Sequence, residues 1–169
     1  MPISGTYDYG CMMIILAINP EFWNKFTSKL IKPEDIFDGD DYGIEDEPHL
    51  TILYGLHADT FNLLNAVPYL RKLDNLKISS NRIDIFKNDE YDVLKFNLDG
   101  KELHNMNAAL KNNFEFTTSF PDFHPHCTIA YLKPGTGEKY VRDLSKPYIL
   151  KPKSYKYSAP SGDKTYFTV

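Results

Sequence analysis

The stretch His49-Leu50-Thr51-Ile52-Leu53-Tyr54 returns later in the chain as His126-Cys127-Thr128-Ile129-Ala130-Tyr131, with His, Thr, Ile and Tyr at the same offsets. Five His and ten Thr in 169 residues give about 0.3 chance copies of H-x-T, so one triplet carries little weight. Two copies with matching flanks make an internal repeat. Both lie in short β-branched and aromatic runs closed by a turn signal, Gly55 after the first and Pro134-Gly135 after the second, and both read as strands. Side chains alternate along a strand, so His49 shares a face with Thr51 and His126 with Thr128. The same alternation predicts that Ile52, Tyr54, Ile129 and Tyr131 point the other way, into packing.

Around the repeat, Met12 to Ile18 is an uninterrupted apolar stretch of strand length, the pattern of a strand buried on both faces and central in a sheet. Asn19 as N-cap and Pro20 at the first helical position open a helix to Leu30, with Trp23, Phe26 and Leu30 on one stripe. A second helix is expected from Thr60, carrying Phe61 and Leu64 up to Pro68. A third is expected from a capping box of Asp99 and Glu102, burying Leu103, Met106, Leu110 and Phe114. Strand patterns fall at 76–85, 91–98, 155–157 and 166–169, the last two joined by a hairpin turn at Gly162-Asp163. Helices and strands interleave without a strict βαβ rhythm, which predicts an α+β fold with mostly antiparallel sheet, formed by residues 1–169 as a single domain.

Hydrophobic residues make up 42% of the chain, enough to fill a core and too many for a disordered or fibrous protein. A net charge of −4 leaves no chain-wide basic field for duplex DNA or an anionic membrane. The longest apolar run, Cys11 to Ile18, is far short of the ~20 residues of a membrane span. The first basic side chain is Lys25, so no signal peptide and a cytoplasmic location are expected. Cys11 and Cys127 cannot supply a disulfide framework or a Cys-based zinc site and fit a reducing compartment.

Charge is unevenly spread. Eight acids and no base lie between Glu34 and Glu47, a segment expected to be an exposed flap. From Lys133 to Lys156 there are seven bases against Glu138 and Asp143 alone, which would suit a nearby anionic ligand. An EF-hand reading of the segment from Asp38 fails, because Tyr42 and His49 stand where the calcium loop needs an oxygen ligand and a Glu.

Phosphodiester cleavage needs a base for the attacking oxygen and an acid for the leaving oxygen, on opposite sides of the phosphorus. Two imidazoles with ordinary pKa values near ~6.5 can fill both roles at neutral pH. Threonine hydroxyls beside them can donate to the non-bridging oxygens. His49, Thr51, His126 and Thr128 supply all four groups, and no metal or other cofactor is needed. Such a pair predicts a bell-shaped pH dependence peaking around ~6–7.5. The rival use of these residues is a zinc site, since His124-x-His126 puts two imidazoles on one strand face and His49 could complete a three-histidine set.

At these residues the sequence resembles the 2H phosphoesterase superfamily, whose paired H-x-T strands match His49-Leu50-Thr51 and His126-Cys127-Thr128. The resemblance implies a bilobal α+β fold in which two pseudo-symmetric lobes each bring one motif to a central cleft. It implies action on 2′,3′-cyclic phosphates, 2′–5′-linked oligonucleotides or cyclic oligonucleotides. The wording from Glu47-Pro48-His49 to Gly55-Leu56-His57 after an acidic loop, with the ending Ser158-Ala159-Pro160-Ser161-Gly162, is most similar to the phage anti-CBASS nucleases. That likeness implies a cyclic di- or trinucleotide substrate and a role against bacterial defence.

Twelve Tyr, eleven Phe and one Trp exceed what a small core demands, and bases stack on aromatic faces. Tyr7 and Tyr9, in a Gly-containing polar segment before the first strand, are the candidate stacking residues. His57, His104 and His124 lie outside the repeat and read as surface or supporting residues. A protein that binds a signalling nucleotide without cutting it would keep the aromatic and basic groups and need neither histidine of the repeat.

Overall fold

The apolar run after Gly10 forms β1 (Gly10–Leu16) in the computed structural model of the protein, which describes residues 7–169. It lies inside the sheet, between β2 (His49–Leu56) and β7 (Pro152–Ser158), with Met12 and Ile14 fully buried. The remaining strands are β3 (Ser79–Lys87), β4 (Asp92–Asp99), β5 (His126–Leu132), β6 (Arg142–Ile149) and β8 (Lys164–Phe167). They form one eight-stranded sheet in the order β6-β3-β4-β5-β2-β1-β7-β8, antiparallel at every pairing. The fold is α+β, as expected.

The sheet consists of two four-stranded halves. β2 and β5, the two strands of the repeat, are its middle, and they pair through Leu50 and Cys127 alone. Each is preceded by a strand and a helix: β1 and α1 (Pro20–Leu30) lead to β2, and β4 and α3 (Lys101–Asn113) lead to β5. Where β2 and β5 diverge, the acidic segment fills the space. Its Ile36 and Ile44 bridge to Leu132 and Ala130 of β5, and Tyr131 N–H donates to the Gly43 carbonyl at 2.8 Å. The segment is therefore a wall bonded to the sheet rather than an exposed flap, because it satisfies backbone groups of β5 that have no strand beside them.

The first helix is as the sequence predicts, with Asn19 Oδ1 accepting from the N–H groups of Glu21 and Phe22 at 2.9 and 3.1 Å. The second is shorter than expected: α2 spans Leu63–Ala66 and is capped by Asn62, not Thr60, before Pro68 turns the chain into a 3-10 helix. The third starts after Gly100 without a capping box. Asp99 remains in β4, and Glu102 instead pairs with Arg71 at 2.5 Å. Leu103, Met106 and Leu110 are buried as predicted, and Phe114 packs against the core edge. Nothing in the sequence patterns marks β6, an exposed edge strand with no apolar alternation.

Each repeat strand carries an extra residue three positions after its histidine. Met12 faces Leu53 and Met13 faces Thr51, so Ile52 is an extra residue in β2. Leu94 faces Ala130 and Lys95 faces Thr128, so Ile129 is the extra residue in β5. Gly55 makes a second bulge in β2 at φ +119, where a Cβ would lie 2.0 Å from the Thr117 carbonyl oxygen. It is thus inside the strand rather than a turn closing it.

A bulge leaves a carbonyl outside the ladder, and each is satisfied differently. Asn107 Nδ2 of α3 donates to the Ile52 carbonyl at 2.7 Å, and the N–H of Glu45 donates to the Ile129 carbonyl at 2.9 Å. Asn107 is itself buried. Replacing it by Leu strands a buried acceptor, so Asn107→Leu is expected to lower stability by about 1–3 kcal/mol, read from the urea midpoint at unchanged m-value.

Candidate active site

The bulges change what faces the cleft. Beyond an extra residue the alternation resets, so Tyr54 and Tyr131 return to the same side as Thr51 and Thr128 and line one cleft with His49 and His126. The expectation that both tyrosines pack on the opposite side is wrong, because strict alternation holds only for an unbulged strand. Ile52 and Ile129 are fully buried as predicted.

The antiparallel crossing at Leu50 and Cys127 sets the two dyads about a local two-fold axis. His49 Nδ1 lies 2.8 Å from the Glu47 carbonyl, and His126 Nδ1 lies 2.9 Å from the His124 carbonyl. A carbonyl only accepts, so each Nδ1 carries the proton and donates it. That fixes both neutral rings in the tautomer with an acceptor at Nε2. Pro48 and Pro125 sit between each carbonyl and its histidine, and the sequence signal for this support is that both copies of the repeat read Pro-His-x-Thr. The carbonyls of Pro48 and Pro125 each accept at 3.0 Å, from the N–H groups of Leu16 and Leu98, so the supports are alike in both halves.

The cleft holds about 690 Å³, within the range of small-molecule sites. Tyr7 and Tyr9 both line it. Tyr9 stacks on His57 at 5.5 Å between ring centres and meets Tyr54 edge-on at 6.0 Å. His57 also bonds Thr117 Oγ1 at 2.7 Å, which makes it a supporting residue. Of the basic stretch 133–156 only Lys156 reaches the cleft. Its wall is instead made by acids of the 34–47 segment, Asp40, Asp41, Glu45, Asp46 and Glu47. Sequence charge counts missed this because they average over surfaces that face apart.

Lys156 is buried and bonded to Glu47 at 2.6 Å, with Tyr166 Oη on the same carboxylate at 3.1 Å. Burial alone would raise the Glu47 carboxyl, but Lys156, Tyr166 and His49 bring it below the usual carboxylate range. Burial lifts Glu45, and His49 beside it opposes that rise. Burial also pushes His126 down to about 4, opposed by its bond to the His124 carbonyl and aided by Lys95, His49 and His124. Among the described residues no three His, Cys, Asp or Glu side chains gather to hold a metal ion, so His49, His124 and His126 do not form the three-histidine set. No helix among the described residues is long and apolar enough to cross a membrane.

Among solved structures, that of Kluyveromyces marxianus Usb1 aligns over 99% of this chain and 100% of its own, with a TM-score of 0.60 at 8% identity. A crystal structure of a phosphoesterase aligns over 96% of each chain, with a TM-score of 0.45 at 13% identity. No protein-family model matches the sequence, and no curated protein matches it. The likeness to Usb1 is one of fold, in agreement with the two-lobed α+β architecture that the H-x-T resemblance implies.

The unfolded chain takes up a proton at His126 near pH ~6.5, the native protein only near 4. Between those values the unfolded state binds more protons, so stability falls as pH drops through that window. The His126→Gln variant is expected to lose this part of the pH dependence, measured by urea unfolding at a series of pH values.

Proposed function

We propose that this protein is a metal-independent phosphodiesterase that opens cyclic di- and trinucleotides. The observation that carries the reading is the pair of dyads brought to one cleft about a local two-fold, each histidine fixed through Nδ1 to a carbonyl two residues earlier. The reacting phosphate sits between the two rings. One Nε2 takes the proton of the attacking oxygen and the other returns a proton to the leaving oxygen. Thr51 and Thr128 donate to the non-bridging oxygens, whose charge grows little but must be held in line. Tyr7 and Tyr9 offer ring faces to a base, each stack being worth ~1–3 kcal/mol.

Within this reading, the likeness of the motif flanks to the phage anti-CBASS nucleases supports a signalling cyclic nucleotide as substrate and the cytoplasm of an infected bacterium as the place of action. The test is a panel of cyclic di- and trinucleotides, 2′–5′ oligonucleotides and 2′,3′-cyclic phosphates, incubated in EDTA and resolved by chromatography. Cleavage of a cyclic substrate is the expected result. Exclusive cleavage of a 2′–5′ or terminal cyclic phosphate would move the substrate class, ligand recovered intact would make the protein a binder, and activity lost in EDTA and restored by zinc would make it a metalloenzyme.

His49→Ala and His126→Ala are each expected to lower kcat by about 10²–10⁴-fold, with the double variant little worse, because an acid and a base of one step are not additive. Thr51→Val and Thr128→Val keep the β-branched shape and lose less. Steady-state kinetics of the five variants on the cleaved substrate checks both statements.

A further inference from the structure

The two repeats match in backbone and differ in charge. Lys95 of β4 lies directly across from Thr128, beside His126, and is only 4% exposed. Its amine sits over the Phe86 ring at 4.1 Å and donates to Asn97 Oδ1. Phe86 in turn meets the His126 ring edge-on at 4.9 Å. In the other half Met13 takes the place of Lys95, across from Thr51. His49 instead donates to the Glu47 carbonyl, and the N–H of that same Glu47 donates to Glu45 Oε1 at 3.2 Å, which brings the Glu45 carboxylate to the cleft beside His49, while the Glu47 carboxylate is paired with Lys156.

From this arrangement we infer that Lys95 and Glu45 are positioning residues that divide the labour of the pair, making His126 the base and His49 the acid. The inference rests on the two-histidine reading above. Lys95 does not line the cleft, and its buried amine is engaged, so it acts through His126 rather than on the ligand. A cation beside an imidazole favours the neutral ring and a carboxylate favours the protonated one. In the step itself, His126 Nε2 takes the proton of the attacking water or hydroxyl as the new O–P bond forms. The opposite P–O bond breaks, and the Nε2–H of His49 gives its proton to the leaving oxygen. Exchange with solvent resets both rings.

Other charges near His126 do not cancel the bias. Burial lowers the Lys95 pKa, Asp84 of β3 opposes that by attracting the amine, and Arg82 adds to it by repulsion. His49 and His124 add further positive character when protonated. Glu45 faces β5 as well as β2, but of the two histidines it is His49 that bears on it.

The test needs no substrate in its first arm. Imidazole resonances of the ligand-free protein are followed by NMR against pH. His126 is expected to titrate well below an ordinary imidazole, near 4. In Lys95→Met the His126 titration should rise, whereas Glu45→Gln should leave it in place. An ordinary imidazole titration of His126 in the wild-type protein, readable even if a variant fails to fold, overturns the assignment. The second arm uses the cleaved substrate with sulfur in place of the leaving oxygen, since a thiolate departs without a proton. His49→Ala should regain about 10²-fold on it and His126→Ala should not; rescue of His126→Ala instead overturns the inference. If both histidine variants are inactive yet His126 titrates as an ordinary imidazole, the two-histidine reading stands and the division of labour falls.

Discussion

One extra residue in each of two strands is the constraint on which the site depends. Without the bulges at Ile52 and Ile129, strict alternation would turn Tyr54 and Tyr131 into the core and leave the dyads at the edge of a featureless sheet face. With them, apolar residues still fill the buried side, and the other side gathers His, Thr and Tyr from both halves. Two carbonyls are left outside the ladder as a result, and one buried asparagine and one loop N–H satisfy them.

The second consequence is a division between what is repeated and what is not. Backbone support is repeated: the carbonyl behind each histidine, the proline after that carbonyl, the donor to the proline's own carbonyl. Electrostatics is not. One half has a buried lysine and an aromatic ring near its histidine, and the other has carboxylates, one of them tied to Lys156. For the proposed reaction, equal geometry with unequal charge suits two groups that must be in opposite protonation states.

Much of this was legible in the sequence. The repeat, the α+β class and the capped first helix follow from periodicity, capping and spacing. What was not legible depends on registers between distant strands. A bulge has no local signature in Ile52 or Ile129, whose types suit an ordinary strand, and Gly55 reads as a turn until its close approach to Thr117 is seen. The acidic segment looks like a solvated loop because its hydrogen bonds go to β5, far along the chain. Lys95 reads as the polar half of an alternating strand, and only the pairing with Thr128 places it beside His126. The matching positions of Pro48 and Pro125 were available in the sequence and mark the shared support of the histidines.

The central claim is that one phosphate is held between the two dyads. A crystal structure of His49→Ala with a non-hydrolysable phosphorothioate cyclic dinucleotide tests it most directly. The account predicts a single phosphorus between residue 49 and His126, with the Thr51 and Thr128 hydroxyls on its two non-bridging atoms and a base against Tyr7 or Tyr9. A nucleotide bound with its phosphates away from both threonines would contradict it.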